Sequence, residues 1–254
     1  MTQHERFQRR ARPHLGTLVE VGVVAGDSHR PTRCADAAID AAFARVVEIE
    51  SLLSRFDPRS MIGRFNAAAA GTSIPIGEDA QIVLVAADHL RAASGGVFDI
   101  SVGSGCDDWA CDGLALIKLS DDVRLDLGGI AKGHAVDVAV GALQQAGASA
   151  GWVNAGGDLR VFGALALPID LRDESNGGVR RFASLEDGAF ATSWIAEPMR
   201  HAIGADSNVR RATAHASVAA ERCLWADALT KIVALTGDAC HPLLVAHGAR
   251  AWLH

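Results

Sequence analysis

The sequence predicts an α+β fold, mixed sheets with packed helices, built as one large domain or as two subdomains around a cleft. Three observations carry this. Apolar residues switch along the chain between the alternation of strands and the spacing of helical stripes. The elements so marked do not follow the regular strand–helix alternation of a doubly wound sheet. A chain of 254 residues, 49% of them hydrophobic, is also long enough to bury a large core. No repeat and no separating linker interrupts it, so residues 15–254 are expected to form one domain behind a polar tail, residues 1–14.

Each element follows from its own pattern. Leu15–Val24 alternates as a strand, with Thr17, Val19, Val21 and Val23 on one face. Ile39, Phe43, Val46, Ile49 and Leu53 make one stripe of a helix from about Ala35 to Ser54, broken at Asp57-Pro58. A second helix, Glu78 to Ala93, turns Ile82, Val85, Ala86 and Leu90 inward and stops at Gly95-Gly96. Val97–Val102 reads as short and extended. Val123–Leu127 reads as a strand running into Gly128-Gly129, followed by a helix from Ile130 to Gln145. Trp152–Ala155 and Leu159–Phe162 read as two strands joined at Gly156-Gly157-Asp158. Beyond Pro168 the pattern weakens: Asp173–Gly178 reads as a turn or mobile loop, and Ser193–Thr213 has no clear period. A helix from Ala219 to Leu235 and closing strands at Leu243–Ala246 and Ala249–Leu253 complete the chain.

Composition narrows the function classes. The net charge is −6, from 24 basic and 30 acidic residues, so an anionic ligand finds no general attraction. A bound diphosphate would need local help from backbone N–H groups, one or two lysines, or a divalent metal. Aromatic residues make up only 5% and tyrosine is absent, which argues against the stacking platforms of single-stranded nucleic-acid binding. Five cysteines without a CxxC pair suggest reduced thiols rather than a disulfide framework or a zinc site. Cys106 and Cys111, among Asp107, Asp108 and Asp112, fit either a metal cluster or a solvated loop. The opening MTQHERFQRRARPHLG has no apolar stretch behind it, and no run is long enough to span a membrane. The expected setting is cytoplasmic.

Three places could carry chemistry. LDLGGIAKGHAVD, Leu125 to Asp137, ends a strand in two glycines and starts a helix, which suits either a tight turn or a cradle for an anion. It is neither a Walker A loop nor GxGxxG. GWVNAGGDLRVFG, Gly151 to Gly163, is either a plain hairpin or a second such approach. Asp227 lies on a helix whose neighbours Leu224, Ala228, Leu229, Ile232 and Val233 are apolar, so its carboxylate needs a partner. That partner is either Lys231, one turn on, or a hard cation such as Mg2+.

Six segments occur in the order and approximate spacing of a known family: SRFDPRSMIGRFN, SGGVFDISVG, LDLGGIAKGHAVD, GWVNAGGDLRVFG, ATS (Ala191–Ser193) and ADALTK (Ala226–Lys231). Through them the chain resembles the ApbE-type FAD:protein FMN transferases from about Gly16 to Gly237. The resemblance implies an ApbE-like fold around a central flavin cleft. It implies Mg2+-dependent transfer of FMN from FAD to a threonine or serine hydroxyl of an acceptor flavoprotein, a subunit of a redox complex, with release of AMP. It assigns Asn66 to the adenine side of FAD. Asp99, Gly128, Gly129, Lys132, Gly133, Gly157, Asp158 and Thr192 fall in the rest of the flavin pocket. The Ala131 carbonyl, Asp227 and Thr230 would hold the metal, and His201 would take the acceptor proton, with Asp227 also in the catalytic set. The same residues would serve a flavin-binding protein without transfer, or an FAD pyrophosphatase giving FMN and AMP. The chain departs from the family pattern in three places, one of them the short segment between Gly103 and Leu125, where Ser104-Gly105 stands in place of a Pro-Leu. His201 is followed by Ala202-Ile203-Gly204-Ala205 where an aspartate and a proline are usual, and Lys231 stands where a metal-binding threonine is usual.

Overall fold

The computed structural model describes residues 7–24, 31–173, 177–194 and 215–254. The order of elements is β1 (Phe7–His14), β2 (Thr17–Val24), α1 (Pro31–Leu53), α2 (Met61–Ala67), β3 (Ser73–Pro75), α3 (Glu78–Ala93), β4 (Trp109–Cys111) and β5 (Ala115–Lys118). It continues with α4 (Ala131–Gln145), β6 (Gly151–Ala155), β7 (Asp158–Asp173), β8 (Gly178–Trp194), β9 (His215–Ala220), α5 (Cys223–Thr236), α6 (Pro242–Ala246) and β10 (Arg250–Leu253). The strands form a seven-stranded sheet in the order β1-β2-β6-β7-β8-β9-β10 and a three-stranded sheet in the order β3-β5-β4. Their pairings are antiparallel, so the α+β class holds.

Strand alternation decides what each face of the large sheet meets. Val19, Val21, Val23, Val153, Ala191 and Val218 enter the main core, where α1 packs on α4 and α4 on α5. Trp152 of β6 and Phe190 of β8, on the alternate positions of their strands, join Leu159 and Val161 of β7 in a smaller cluster. Ile74, Trp109 and Leu116 of the small sheet belong to the main core as well, so one apolar interior runs beneath both sheets.

Several elements differ from the sequence reading, each for a physical reason. Residues 7–14 of the expected tail form β1, paired with β2 from Phe7↔Val24 to His14↔Thr17. This strand lies at the sheet edge, and its inward side is held by charge: Arg10 bonds Asp36 and Asp40, and Arg12 bonds Asp40, both aspartates on α1. Apolar periodicity cannot mark such a strand. Val123–Leu127 is extended and its Val123, Leu125 and Leu127 are buried, but it joins no ladder. Val97–Val102 is a run of turns. Ala219 and Ala220 end β9, and the following helix begins at Cys223. Leu243–Ala246 is helical, with Pro242 at the first turn and the His241 side chain accepting from Leu243 N. The weak region beyond Pro168 contains the last five residues of β7 and all of β8. These two strands stay paired to Asp173↔Gly178 through two register shifts. No helix of the described residues is long and apolar enough to cross a membrane.

Candidate functional site

The segment entering α4 is held by a side chain in place of a neighbouring strand. Asn66 Nδ2 donates to Leu125 O at 2.9 Å, and Leu125 N donates to Asn66 Oδ1 at 2.7 Å. Asp126 N reaches Ile100 O at 2.7 Å, in the turn that Asp99 organises through Ser101 N, Ser101 Oγ and Gly103 N. The Asp126 carboxylate caps Gly128 N at 2.9 Å and meets Arg55 Nε at 3.0 Å. Gly128-Gly129-Ile130 then turn, and α4 begins.

The glycines of this stretch are not equivalent. A Cβ on Gly129 would make only ordinary contacts, 3.6 Å to Phe98 and 3.7 Å to Lys231 Cε, whereas one on Gly133 would lie 2.3 Å from Cys223 O and 2.8 Å from Asp227 Cβ. Gly133 is therefore the residue that lets α4 and α5 touch. Its backbone N–H donates to Asp227 Oδ2 at 3.0 Å. At the β6–β7 hairpin, Gly156 and Gly157 have φ of +63° and +105°, as a tight hairpin turn requires. That turn starts β7 at Asp158, which points into the protein.

Four charges converge here from three elements. Lys132 of α4 bonds Asp158 of β7, and its Nζ lies 3.8 Å from Asp227 Oδ2 on α5. Lys231, one turn beyond Asp227, bonds Asp227 Oδ1 and also reaches its backbone O at 3.0 Å. The carboxylate side chains are 3% (Asp158) and 0% (Asp227) exposed, against 30% for Lys132 and 20% for Lys231. The lysine side chains thus form the more accessible side of the cluster. Burial works against the charge of Lys132, but Asp227 and Asp158 hold it above the usual lysine range. Burial and the nearby Asp227 charge push Asp158 up to about 6. Burial also acts against Asp227, yet Lys231 and Lys132 hold it below the usual carboxylate range, so Asp227 is the carboxylate kept ionised. Burial raises the Cys223 thiol well above its ordinary value, and the adjacent Asp158, Asp137 and Asp227 add to that, so it is no nucleophile. A cavity of about 170 Å³ opens at the start of α4, lined among others by Arg55, Phe56, Gly128, Ala131 and Lys132.

Of the residues expected from sequence, the structure brings together Gly128, Gly129, Lys132, Gly133, Asp158 and Asp227, with Ala131 on the cavity wall. Gly157 shapes the hairpin that places Asp158, while Asn66 and Asp99 support the entry segment. Thr230 Oγ1 donates to Asp227 O at 2.6 Å and accepts from Ser193 Oγ at 2.6 Å. Thr192 bonds Ser217 Oγ at 2.9 Å, so β8 presents Ser193 to α5 and its neighbour Thr192 to the other side. His201 lies outside the described residues. Cys106 and Cys111 are free thiols, the first exposed. Among the described residues no group of three or more His, Cys, Asp or Glu side chains is placed to hold a metal ion.

Sequence reasoning missed Asp137. Its carboxylate is 3% exposed, accepts from Cys223 N at 2.9 Å and Leu224 N at 3.0 Å, and pairs with Arg160 at 2.7 Å. The rule that singles out Asp227, a carboxylate among apolar helical neighbours, applies equally to Asp137 beside Val136, Val138 and Val140.

Taken together, the chain is an antiparallel α+β protein with a lysine-lined hollow at a glycine-marked helix start, a class of site suited to a phosphate-bearing ligand. The ApbE family model matches residues 15–115 and 107–252, and the chain belongs to the ApbE family. No curated protein sequence matches it. Among solved structures it is similar to the flavinyl transferase ApbE of Pseudomonas stutzeri in its apo form, at 19% identity and TM-score 0.81, covering 100% of this chain and 92% of that one. The flavin transferase ApbE of Vibrio cholerae is similar at 18% identity and TM-score 0.79, with 98% and 93% covered. The ApbE protein of Thermotoga maritima is similar at 21% identity and TM-score 0.80, with 98% and 94% covered. At these identities the likeness establishes the fold.

Proposed function

We propose that this chain is a flavin transferase that takes FAD and moves its FMN half to a serine or threonine hydroxyl of an acceptor flavoprotein, releasing AMP. The observation that carries this reading is the pair of part-exposed lysine side chains, Lys132 and Lys231, beside the Gly128–Gly133 helix start inside an ApbE fold. Family membership and the likeness to the ApbE flavin transferases of Vibrio cholerae and Pseudomonas stutzeri support flavin transfer in general.

The residues divide the work. N–H groups at the start of α4 and the two ammonium groups meet the diphosphate oxygens. The acceptor oxygen bonds to the FMN phosphorus as the bond from that phosphorus to the bridging oxygen breaks. AMP leaves with that oxygen, and the lysines compensate its growing charge. The proton lost by the acceptor hydroxyl passes to His201 in this reading. The Mg2+ that the sequence leads one to expect would draw on the Ala131 carbonyl, Asp227 and Thr230. Both Asp227 oxygens and the Thr230 hydroxyl already have partners within the protein, so this donor set does not fit a divalent ion, and no step is assigned to one.

The test uses purified full-length chain with FAD and a flavin-carrier domain bearing a hydroxyl acceptor. AMP is quantified and the carrier is inspected for covalent flavin fluorescence in a denaturing gel. Transfer gives a fluorescent carrier and AMP in step. AMP and free FMN with an unlabelled carrier would make the chain an FAD pyrophosphatase, intact bound FAD would make it a flavin-binding protein, and absence of FAD binding would overturn every flavin reading.

A further inference from the structure

We infer that this chain recognises the FAD diphosphate with its own lysine ammonium groups in place of a bound divalent cation, Lys231 occupying the position on Asp227 that a metal would need. The inference rests on the flavin-transfer reading and deepens it at the same site.

The expected side-chain donors, Asp227 and Thr230, are engaged within the protein. Asp227 Oδ1 is bonded by Lys231, and Oδ2 accepts from Gly133 N at 3.0 Å with Lys132 Nζ at 3.8 Å. The Thr230 hydroxyl gives its hydrogen to Asp227 O at 2.6 Å and stands 2.6 Å from Ser193 Oγ. Exposure points the same way. A metal site turns carboxylates toward the ligand, whereas here Asp158 and Asp227 are buried and the lysine side chains bonded to them are 30% and 20% exposed. A divalent ion at Asp227 would sit beside two fixed positive charges and would have to displace one. An incoming diphosphate meets the opposite situation. Lys231 spends two of its three N–H groups on Asp227, and the part-exposed Lys132 is bonded to Asp158, which leaves donors for phosphate oxygen while the buried carboxylates hold both chains in place.

FAD affinity of the full chain, read by flavin fluorescence in EDTA and again in excess Mg2+, decides the matter. The expected result is a dissociation constant that changes by less than about twofold between the two media. Lys231→Thr should weaken binding about tenfold in EDTA and recover it when Mg2+ is added. A second measurement needs no flavin: Mn2+ titrated into the wild-type chain should keep its free aqueous EPR signal. Wild-type FAD binding that strengthens tenfold or more with Mg2+, or Mn2+ binding abolished by Asp227→Asn, would overturn the inference and leave the flavin reading standing. Absence of FAD binding in both media would remove the flavin reading itself. The wild-type arms decide the outcome even where Lys231→Thr does not fold.

Discussion

At the scale of single residues, the glycine-rich segment separates into positions that space demands and positions it does not. Gly133 is demanded, because a Cβ there would strike the Cys223 carbonyl, which is backbone and cannot swing aside. Gly133→Ala is expected to force α4 and α5 apart at a cost of about 1–3 kcal/mol or more, read from urea unfolding. Gly129→Ala, whose Cβ meets only ordinary contacts at 3.6 Å and beyond, should stay within about 1 kcal/mol of wild type by the same measurement. Equal losses at the two positions would show that the α4–α5 approach is looser than its geometry. Asn66 makes a related point. Sequence resemblance assigns it to FAD, and in the structure its amide pairs with both backbone atoms of Leu125, holding the strand-like entry to Gly128 where no strand is available.

At the scale of elements, α5 carries the site and Asp137 anchors α5. Its two oxygens satisfy the N–H groups of Cys223 and Leu224, which have no partner within the helix, and they place a negative charge at the positive end of the helix. Arg160 from β7 completes the pairing at 2.7 Å. Asp137→Ala leaves two N–H groups at the helix start and the guanidinium groups of Arg160 and Arg222 without their acceptor, so stability should fall by about 3 kcal/mol. Asp137→Asn, which retains one acceptor oxygen, should lose less. Thermal unfolding of both variants checks the order, and a reversed order would mean that charge at this position is a liability rather than an anchor. Because Asp227 and Lys231 ride on the same helix, weaker FAD binding should accompany the loss at temperatures where the variant remains folded.

Across the whole molecule, what the sequence disclosed depended on whether burial was apolar. The stripe of α1, the valines of β2 and the β6–β7 hairpin were legible because apolar side chains enter one core at regular spacing. In α3 the expected stripe is fully buried only at Ala86 and Leu90, since Val85 is 51% exposed and Val83, Leu84 and Ala87 face the core instead. β1 and the first ten residues of β8 were not legible, since exposed and part-exposed residues dominate them and their order comes from backbone pairing. In the site, Lys132, Asp158 and Asp227 could be named from sequence, but the orientation that puts ammonium groups outside and carboxylates inside depends on how three elements cross. A polar connection of the same hidden kind ties three helices: Arg45 of α1 bonds Asp79 of α3 at 2.7 Å, and Asp79 accepts from His134 of α4 at 2.9 Å. His134 is 1% exposed, and its Nδ1 has no hydrogen-bond partner among the described residues. Burial holds His134 below the ordinary histidine value of 6.5 even though Asp79 pulls the other way. Between 6.5 and that lower value the unfolded chain binds a proton that the folded chain refuses, so stability is level above the window and falls as pH drops through it. Asp79 acts in a separate window. Burial opposes its ionisation, but Arg45 and His134 hold it below the carboxylate value of 3.8, so its contribution persists to more acid pH and is lost only below 3.8. His134→Gln keeps a donor for Asp79 but cannot titrate. Melting temperature followed from about pH 8 to about pH 5 should therefore decline less in His134→Gln than in wild type, the remaining slope belonging to other histidines such as His247 and His254. Parallel profiles for the two proteins would show that His134 accepts its proton in the folded state, and that the three-helix tie tolerates a charged imidazole.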